Sequence, residues 1–405
     1  MGTGQSSFNG PTSSGKTLRC TGVPSTASPA ISNDGSIFQP STGGVLFAIN
    51  GSLTSGALLW KFSPTSALSP NAASLTPVIS EDGSLVYYAA DNLYALNATT
   101  GAVVWTWNAT ITPGATFLTV LRAKGDGRVY VLVTGPFPPT QTGYGYPSLA
   151  ALVALDGASG SVKWQRLGVL SDFSLSADGT VLYAASSGYG FNNNGVVSYI
   201  NSALVYIAAD SGELMSSLAL GPPNSFVNAV AAPLVANDGS LIVITYGSQQ
   251  PGVYLYNISL WNPSTRSQTW IVALNALVPP QYCPQAAVTF SLPTVVMDST
   301  LLLSWSCQSA AGMLGLSVLN GAQVFVMNLP SFSPIAPNTN LPAPIAGADS
   351  TSYASGGGSV YGVNSGSGAL LWAVNGTATA QVAYSAIGPN KLLVVGNCLY
   401  IEAQA

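Results

Sequence analysis

The chain has 405 residues, 47% of them hydrophobic and only 6% charged, with ten basic and fourteen acidic side chains and a net charge of −4. Charge this sparse, against about 25% in ordinary globular proteins, excludes a polyanion-binding surface and argues against a free cytosolic protein that stays soluble through charge. No run of eighteen apolar residues is present to span a membrane. There is also no histidine, which removes Ser-His-Asp and Cys-His nucleophile systems and histidine-held metals.

Residues 1–14 are rich in Ser, Gly and Thr and are expected to form a flexible arm, with residues 15–405 as a single domain. The first expected strand is Thr17-Leu18-Arg19-Cys20. A repeating unit follows. It opens on an Asp-Gly turn, at Asp34-Gly35, Asp82-Gly83, Asp126-Gly127, Asp178-Gly179 and Asp238-Gly239, with degenerate copies at Asp298-Ser299, Asp349-Ser350 and Asn390-Lys391. Asp-Gly supplies the positive φ of a tight hairpin. Runs rich in β-branched and aromatic residues come next, such as Leu85-Val86-Tyr87-Tyr88-Ala89. Each unit then reads apolar strand, Asp or Asn turn, Gly, and a last strand ending in Trp: Leu93–Asn97, Gly101, Trp105; Leu152–Asp156, Gly160, Trp164; Val360–Asn364, Gly368, Trp372. No segment sustains a 3.6-residue period, so helix is nearly absent.

A 40–60 residue period signals a repeat architecture. Four short strands per repeat, eight times, predict an all-β, eight-bladed β-propeller of four-stranded antiparallel blades. The last repeat has Leu392–Val395 and Cys398–Ile401 but no outer strand. Thr17–Cys20 is expected to supply it, closing the ring and covering an exposed edge. Cys20 and Cys398 would then be neighbours, and Cys283 and Cys307 flank one repeat boundary. Four cysteines allow three pairings; Cys20–Cys398 with Cys283–Cys307 is favoured, and four buried thiols are the alternative. Disulfides would place the chain in an oxidising, extracellular or cell-surface compartment.

The acids are mostly accounted for by the turns. Asp34, Asp82, Asp126, Asp178, Asp238, Asp298 and Asp349 hold the hairpin position, and Asp156 and Asp210 the later turn. Glu81, Asp91, Asp172, Glu213 and Glu402 remain, without the converging pair that a glycosidase needs. Five of the ten bases (Arg122, Lys124, Arg128, Lys163, Arg166) share one repeat and read as a solvated face. No catalytic residue, metal ligand or nucleic-acid surface is expected.

The segments Ala95-x-Asn97-x-x-Thr100-Gly101-x-x-x-Trp105 and Ala154-x-Asp156-x-x-Ser159-Gly160-x-x-x-Trp164 resemble the tryptophan-docking motif of the pyrroloquinoline quinone (PQQ)-like repeat propellers. Met215 and Phe325 stand where two further Trp are expected. The resemblance implies an eight-bladed propeller whose Trp side chains dock between blades, and it assigns that role to Trp60, Trp105, Trp164, Trp270 and Trp372. Quinone-dependent dehydrogenases of the family carry a vicinal disulfide and a calcium-binding acidic set. This chain has neither, so it resembles the non-enzymatic members and no cofactor is expected.

Five sequons, at Asn50, Asn97, Asn108, Asn257 and Asn375, are candidate glycosylation sites. Asn50, Asn97 and Asn257 are read as turn residues; Asn108 and Asn375 each lie three residues after a docking Trp. Three loops stand out: Gly135–Ser148 with Tyr144 and Tyr146, Ser187–Val196 with Tyr189, and Asn328–Pro344. The leading expectation is a non-enzymatic extracellular glycoprotein, a propeller building block that associates with itself or with other extracellular proteins into a filament, sheath or surface layer. The alternative is a secreted module that binds a glycan or a protein through loops on one face.

Overall fold

The fold is taken from a computed structural model. It describes residues 17–20, 27–41, 44–51, 57–64, 76–108, 116–122, 127–134, 150–168, 170–186, 189–191, 197–199, 202–221, 227–250, 253–283, 288–296, 299–307, 310–329, 343–347, 350–356, 359–375, 385–387, 392–395 and 398–401. The arm 1–14, Asp126, Asp298, Asp349, Glu402, Lys124 and the loop around Tyr144 and Tyr146 lie outside them.

Seven blades follow one another along the chain, spanning residues 30–62, 78–107, 116–168, 170–219, 227–273, 289–328 and 345–375; we number them 1 to 7. Each is an antiparallel meander in which four successive strands pair in chain order. In blades 5 and 6 the first strand is broken in two, Val227–Ala229 with Leu234–Val235 and Thr289–Phe290 with Thr294–Val296. Pro233 and Pro293 sit at the breaks, where a residue without an N–H cannot hold the ladder. Blade 4 carries an extra hairpin, Tyr189–Phe191 with Val197–Tyr199, between its second and third strands.

The expected count of eight repeats is therefore corrected to seven. The rest of the paired chain forms a separate four-stranded sheet in the order Thr17–Cys20, Cys398–Ile401, Leu392–Val395, Ser385–Ile387, with Thr17 opposite Ile401 and Cys20 opposite Cys398. It is not an eighth copy of the repeat. Its strands come from opposite ends of the chain, its hairpin position has Gly388-Pro389-Asn390-Lys391 in place of Asp-Gly, and no aromatic holds the docking position. The expected ring closure depends on side chains of this sheet that lie outside the described residues.

The core is a succession of layers between blades. Phe38, Leu46 and Trp60 of blade 1 pack on Val86, Tyr88 and Leu96 of blade 2. Corresponding layers join blades 2 and 3, 3 and 4, 4 and 5, 5 and 6, and 6 and 7. Second and third strands are buried on both faces, as in Thr300–Ser306, and therefore read as continuous apolar runs. The fourth strand instead alternates, exposed residues preceding a buried ring, as in Leu58–Phe62.

One irregularity recurs in all seven blades. The third-to-fourth strand register skips one residue just before the docking position: Leu59, Val104, Lys163, Met215, Thr269, Val324 and Leu371 have no partner opposite. Such a β-bulge turns two successive side chains outward and re-aims the next one. Here the re-aimed residue is the ring that reaches the following blade.

Candidate functional site: blade joints and outer rim

Each joint begins with a turn. In blade 2 the Asn97 side-chain oxygen accepts from the backbone N–H groups of Thr99 (3.1 Å) and Thr100 (2.9 Å) and from the Thr100 hydroxyl (3.0 Å). Asp156 does the same with Ala158 and Ser159 in blade 3. That network brings the chain to Gly101 at φ 71° and Gly160 at φ 72°, a left-handed conformation that costs glycine little. A Cβ on Gly101 would lie 2.7 Å from the Trp60 ring, and one on Gly160 2.7 Å from that of Trp105. The same relation holds between Gly212 and Trp164, Gly321 and Trp270, and Gly368 and Phe325.

The ring nitrogens supply direction. Trp60 Nε1 donates to Ala98 O (2.9 Å), Trp105 to Gly157 O (2.8 Å), Trp164 to Ala209 O (3.0 Å) and Trp270 to Val318 O (2.9 Å), each acceptor belonging to the next blade. Ala209 O also accepts from the Tyr130 hydroxyl (2.9 Å) and from Arg128 (3.1 Å). Trp372 lies against Gly362 of its own blade, where a Cβ would come within 2.3 Å of the indole. Small residues, Ala48, Ala95, Ala154, Gly315 and Gly362, stand opposite the docking ring and leave it room.

The joint between blades 4 and 5 departs from this pattern, and it corrects one expectation. The docking position of blade 4 is Ser216, opposite Tyr206; Met215 is the bulge residue and is 50% exposed. The Gly-x-x-x-Trp spacing counted from Gly212 falls on Ser216 as well, so the expectation of Met215 is one position short. The large residue has moved to the third strand. Tyr206 packs edge-on against Tyr183, with ring centroids 5.2 Å apart. The glycine is replaced as well: Asn262 builds the usual turn with Ser264 and Thr265, and Arg266 follows at φ 54°. Its guanidinium lies 5.9 Å over the Tyr206 ring, a cation–π contact.

Four aspartates serve turns, Asp156 at a joint and Asp34, Asp82 and Asp178 at the Asp-Gly hairpins. Asp82 accepts from the Ser80 hydroxyl (2.6 Å), the Ser84 N–H (3.0 Å) and the Ser84 hydroxyl (2.8 Å), which together hold its pKa down to about 2. Asp34 and Asp178 are lowered by the same set of bonds, the serine two residues back contributing most. Asp156 is lowered to about 2, first by Lys163 at 3.0 Å and then by Ser159. Burial raises Tyr87 and Tyr206 to about 12. The basic cluster is partly structural: besides Arg128, Arg166 donates to Gly212 O (3.2 Å) and so secures the joint between blades 3 and 4.

Cys283 and Cys307 form a disulfide, Cα atoms 6.0 Å apart, which ties the segment after blade 5 to the residue that follows the second strand of blade 6, Thr300–Ser306. Tyr282 stacks on Trp305 beside it. The side chains of Cys20 and Cys398 lie outside the described residues. Among the described residues, the acids and cysteines do not form a site that fits a quinone with calcium. The disulfide joins cysteines 24 residues apart rather than adjacent ones, and Asp34, Asp82, Asp156 and Asp178 each bond within their own turn on separate blades.

Among the candidate glycosylation sites, Asn50 is exposed at the end of the third strand of blade 1, Asn108 is exposed just after the fourth strand of blade 2, and Asn97 is the half-exposed turn residue described above. Asn375 ends the fourth strand of blade 7. Asn257 is not a turn residue: it lies within the strand Val253–Asn262, opposite Thr245 and Ala273. The turn of that blade is at Asn262, displaced because the second and third strands are each ten residues long.

Two surface features remain. The first is the outer rim. The residues displaced outward by the bulge are Leu58 and Leu59 in blade 1, Val103 and Val104 in blade 2, Leu214 and Met215 in blade 4, and Leu370 and Leu371 in blade 7, all between 40% and 58% exposed. The second is found between the second and third strands of blades 3, 4 and 5: residues 135–149, which lie outside the described ones, the extra strand pair Tyr189–Phe191 with Val197–Tyr199, and in blade 5 the lengthening of the two strands themselves to Leu241–Gln250 and Val253–Asn262.

The comparisons with known proteins agree with this architecture. The structure of BamB from Moraxella catarrhalis superposes with a TM-score of 0.61 at 14% identity, over 96% of this chain and 98% of that one. The quinohemoprotein alcohol dehydrogenase of Comamonas testosteroni superposes with a TM-score of 0.58 at 12% identity, over 93% of this chain and 70% of that one. At such identities the likeness is one of fold. No curated protein sequence matches the chain. The family model described as outer membrane protein assembly factor BamB matches residues 8–166 and 52–270, well over half of the sequence, and the chain belongs to that family of PQQ-like repeat propellers.

Proposed function

We propose that the protein is a non-enzymatic structural propeller, exported to the cell surface or beyond, that associates with itself into a larger assembly such as a filament, sheath or surface layer. The observation that carries this reading is the outer rim. Paired aliphatic side chains stand exposed on the outermost strands, on a surface of 18,856 Å² that the whole chain supplies with only twenty-four charged residues. Exposed edges of this kind are protein-contact surfaces or aggregation hazards unless they are covered. A low-charge surface loses little hydration when buried, which favours extended contacts. Glycans on Asn50, Asn97 or Asn108 would keep uncovered parts soluble.

The test is the mass of native material by light scattering, followed by imaging of the same sample. Regular particles far above 41.2 kDa are expected. Strict monomer at every concentration overturns the reading. Quinone absorbance or dye reduction after reconstitution with pyrroloquinoline quinone and calcium would overturn its non-enzymatic part.

The long connections of blades 3 to 5 favour a second reading, a module that binds a glycan or protein on one face. These segments contain Tyr144, Tyr146, Tyr189, Tyr246 and Tyr254 among Gly, Asn and Pro and hold no charged residue, a composition suited to adaptable contacts. It predicts a monomer whose ligand binding falls on Tyr189→Ala or Tyr146→Ala.

A further inference from the structure

We propose that Cys20 and Cys398 are joined by a disulfide that links the two ends of the chain covalently. The proposal goes beyond the association reading and does not depend on it. The four cysteines of the chain allow three pairings. The Cys283–Cys307 bond selects one of them, because it leaves Cys20 and Cys398 as each other's partner within the chain. The end sheet then sets these two directly opposite one another, the last residue of Thr17–Cys20 against the first of Cys398–Ile401. Directly opposed positions of an antiparallel pair share one face of the sheet. Their Cα atoms lie about 4.5–5.5 Å apart, inside the span of roughly 4.4–6.8 Å that a disulfide bridges.

The bond answers a local weakness. In each of the seven blades the fourth strand follows its partner in the chain, so a turn within the blade sets their register. Thr17–Cys20 is held differently. It has four residues, stands at the edge of its sheet, and pairs with a strand from the other end of the sequence. So short a ladder is weak by itself, and it closes a loop over residues 21–397, which loses more chain entropy than a hairpin does. A cross-link at the end of the ladder removes that loss from the balance between docked and undocked strand. Formation takes two protons and two electrons from the two thiols as the S–S bond forms, and a disulfide-bearing oxidant is reduced to two thiols. The Cys283–Cys307 bond of the same chain requires the same oxidising compartment.

The experiment is peptide mapping of the full chain, alkylated at harvest, denatured in urea and digested with trypsin without reduction. Cleavage at Arg19, Lys61, Arg266 and Lys391 sorts the cysteines: Cys20 falls in 20–61, Cys398 in 392–405, and Cys283 with Cys307 in 267–391. The expected product is 20–61 linked to 392–405, from protein that runs near 41.2 kDa plus any glycan on a denaturing gel without reductant. Alkylated Cys20 and Cys398 overturn the proposal, and so does a link from either peptide to 267–391. The same linked pair from material that runs as dimers or longer ladders also overturns it, because the bond then joins different copies through exchanged strands. A second measurement reads what the bond holds. Tryptic cleavage of the native protein at Arg19 should be roughly tenfold faster in the Cys20→Ser, Cys398→Ser double variant than in wild type, and equal rates would show that the strand stays docked without the bond. The mapping uses the wild-type chain and decides the pairing whether or not the variant folds.

Discussion

The joint between blades 2 and 3 and the joint between blades 4 and 5 fill the same three positions in opposite ways. The first uses Ala95 on the third strand, Trp105 on the fourth and Gly160 on the next blade. The second uses Tyr206, Ser216 and Arg266. Large and small have exchanged places across the strand pair, and the glycine that made room for an indole has become a cation over a phenol. Docking is thus a property of three coupled positions, and a tryptophan is only its commonest solution.

The largest expected effect comes from removing that solution where it is used. Trp105→Ala should cost about 3–5 kcal/mol, the usual range for an aromatic truncated in a packed interior, and it also removes one donor from the Gly157 carbonyl. Ser216→Ala, at the same register position, should change stability by less than about 0.5 kcal/mol. Urea unfolding of the two variants measures the contrast, and equal losses would show that blade 4 docks through its fourth strand after all. Gly160→Ala should rank next. It places a Cβ 2.7 Å from the Trp105 ring at a positive φ, and about 2 kcal/mol or more is expected from strain and overpacking together.

The exchanged joint can be rewritten as the common one. Ser216→Trp alone should destabilise, because Tyr206 already occupies the volume opposite. Combined with Tyr206→Ala and Arg266→Gly it should recover, with a coupling energy of about 1–2 kcal/mol relative to the sum of the single changes. Additive behaviour would mean that the three positions do not form a unit. Arg266→Gly alone should stay within about 0.5 kcal/mol of wild type. It relieves a non-glycine residue of positive φ but loses the cation–π contact, and the two terms are of similar size.

This contrast also explains what was legible beforehand. Where Asn97, Gly101 and Trp105 stand at fixed offsets, the hairpin, the turn and the docking ring follow from the residues alone, because each type answers one steric or hydrogen-bonding demand. Where Tyr206, Ser216 and Arg266 meet the same demand jointly, no single residue signals it. Counted from Gly212 the motif falls on Ser216, so the expectation of Met215 is one position short; at the blade 5 turn, where Arg266 replaces the glycine, the expected Asn257 gives way to Asn262. The count of blades failed at the chain ends for a related reason: the last strands have the right length and hydrophobicity, but not the turn chemistry that makes a repeat. The bulges were not foreseen, although paired aliphatics before each ring, as at Leu58-Leu59 and Val103-Val104, were their visible trace.

The smallest effect separates the two joints by pH. At the blade 3 turn the acceptor is Asp156, held down to about 2 from an ordinary 3.8; at the blade 5 turn it is Asn262, which does not titrate. A carboxylate with a lowered folded pKa contributes stability that is complete above its unfolded value and is lost as pH falls through the folded one. The thermal midpoint should therefore be flat between pH 5 and 8, where a chain without histidine has no side chain of ordinary pKa to titrate, and should fall between about pH 4 and pH 2. Because about a third of the Asp156 side chain is exposed and its Lys163 partner is more so, solvent screens its share and the change per residue is modest. Asp156→Asn, which gives blade 3 the chemistry of blade 5, removes the Lys163 ion pair and should flatten the acid limb by lowering the plateau by the same modest amount. An acid limb as steep as that of wild type would move the effect to the Asp-Gly hairpins, where Asp82 is held equally low, and Asp82→Asn would then be the variant that flattens it.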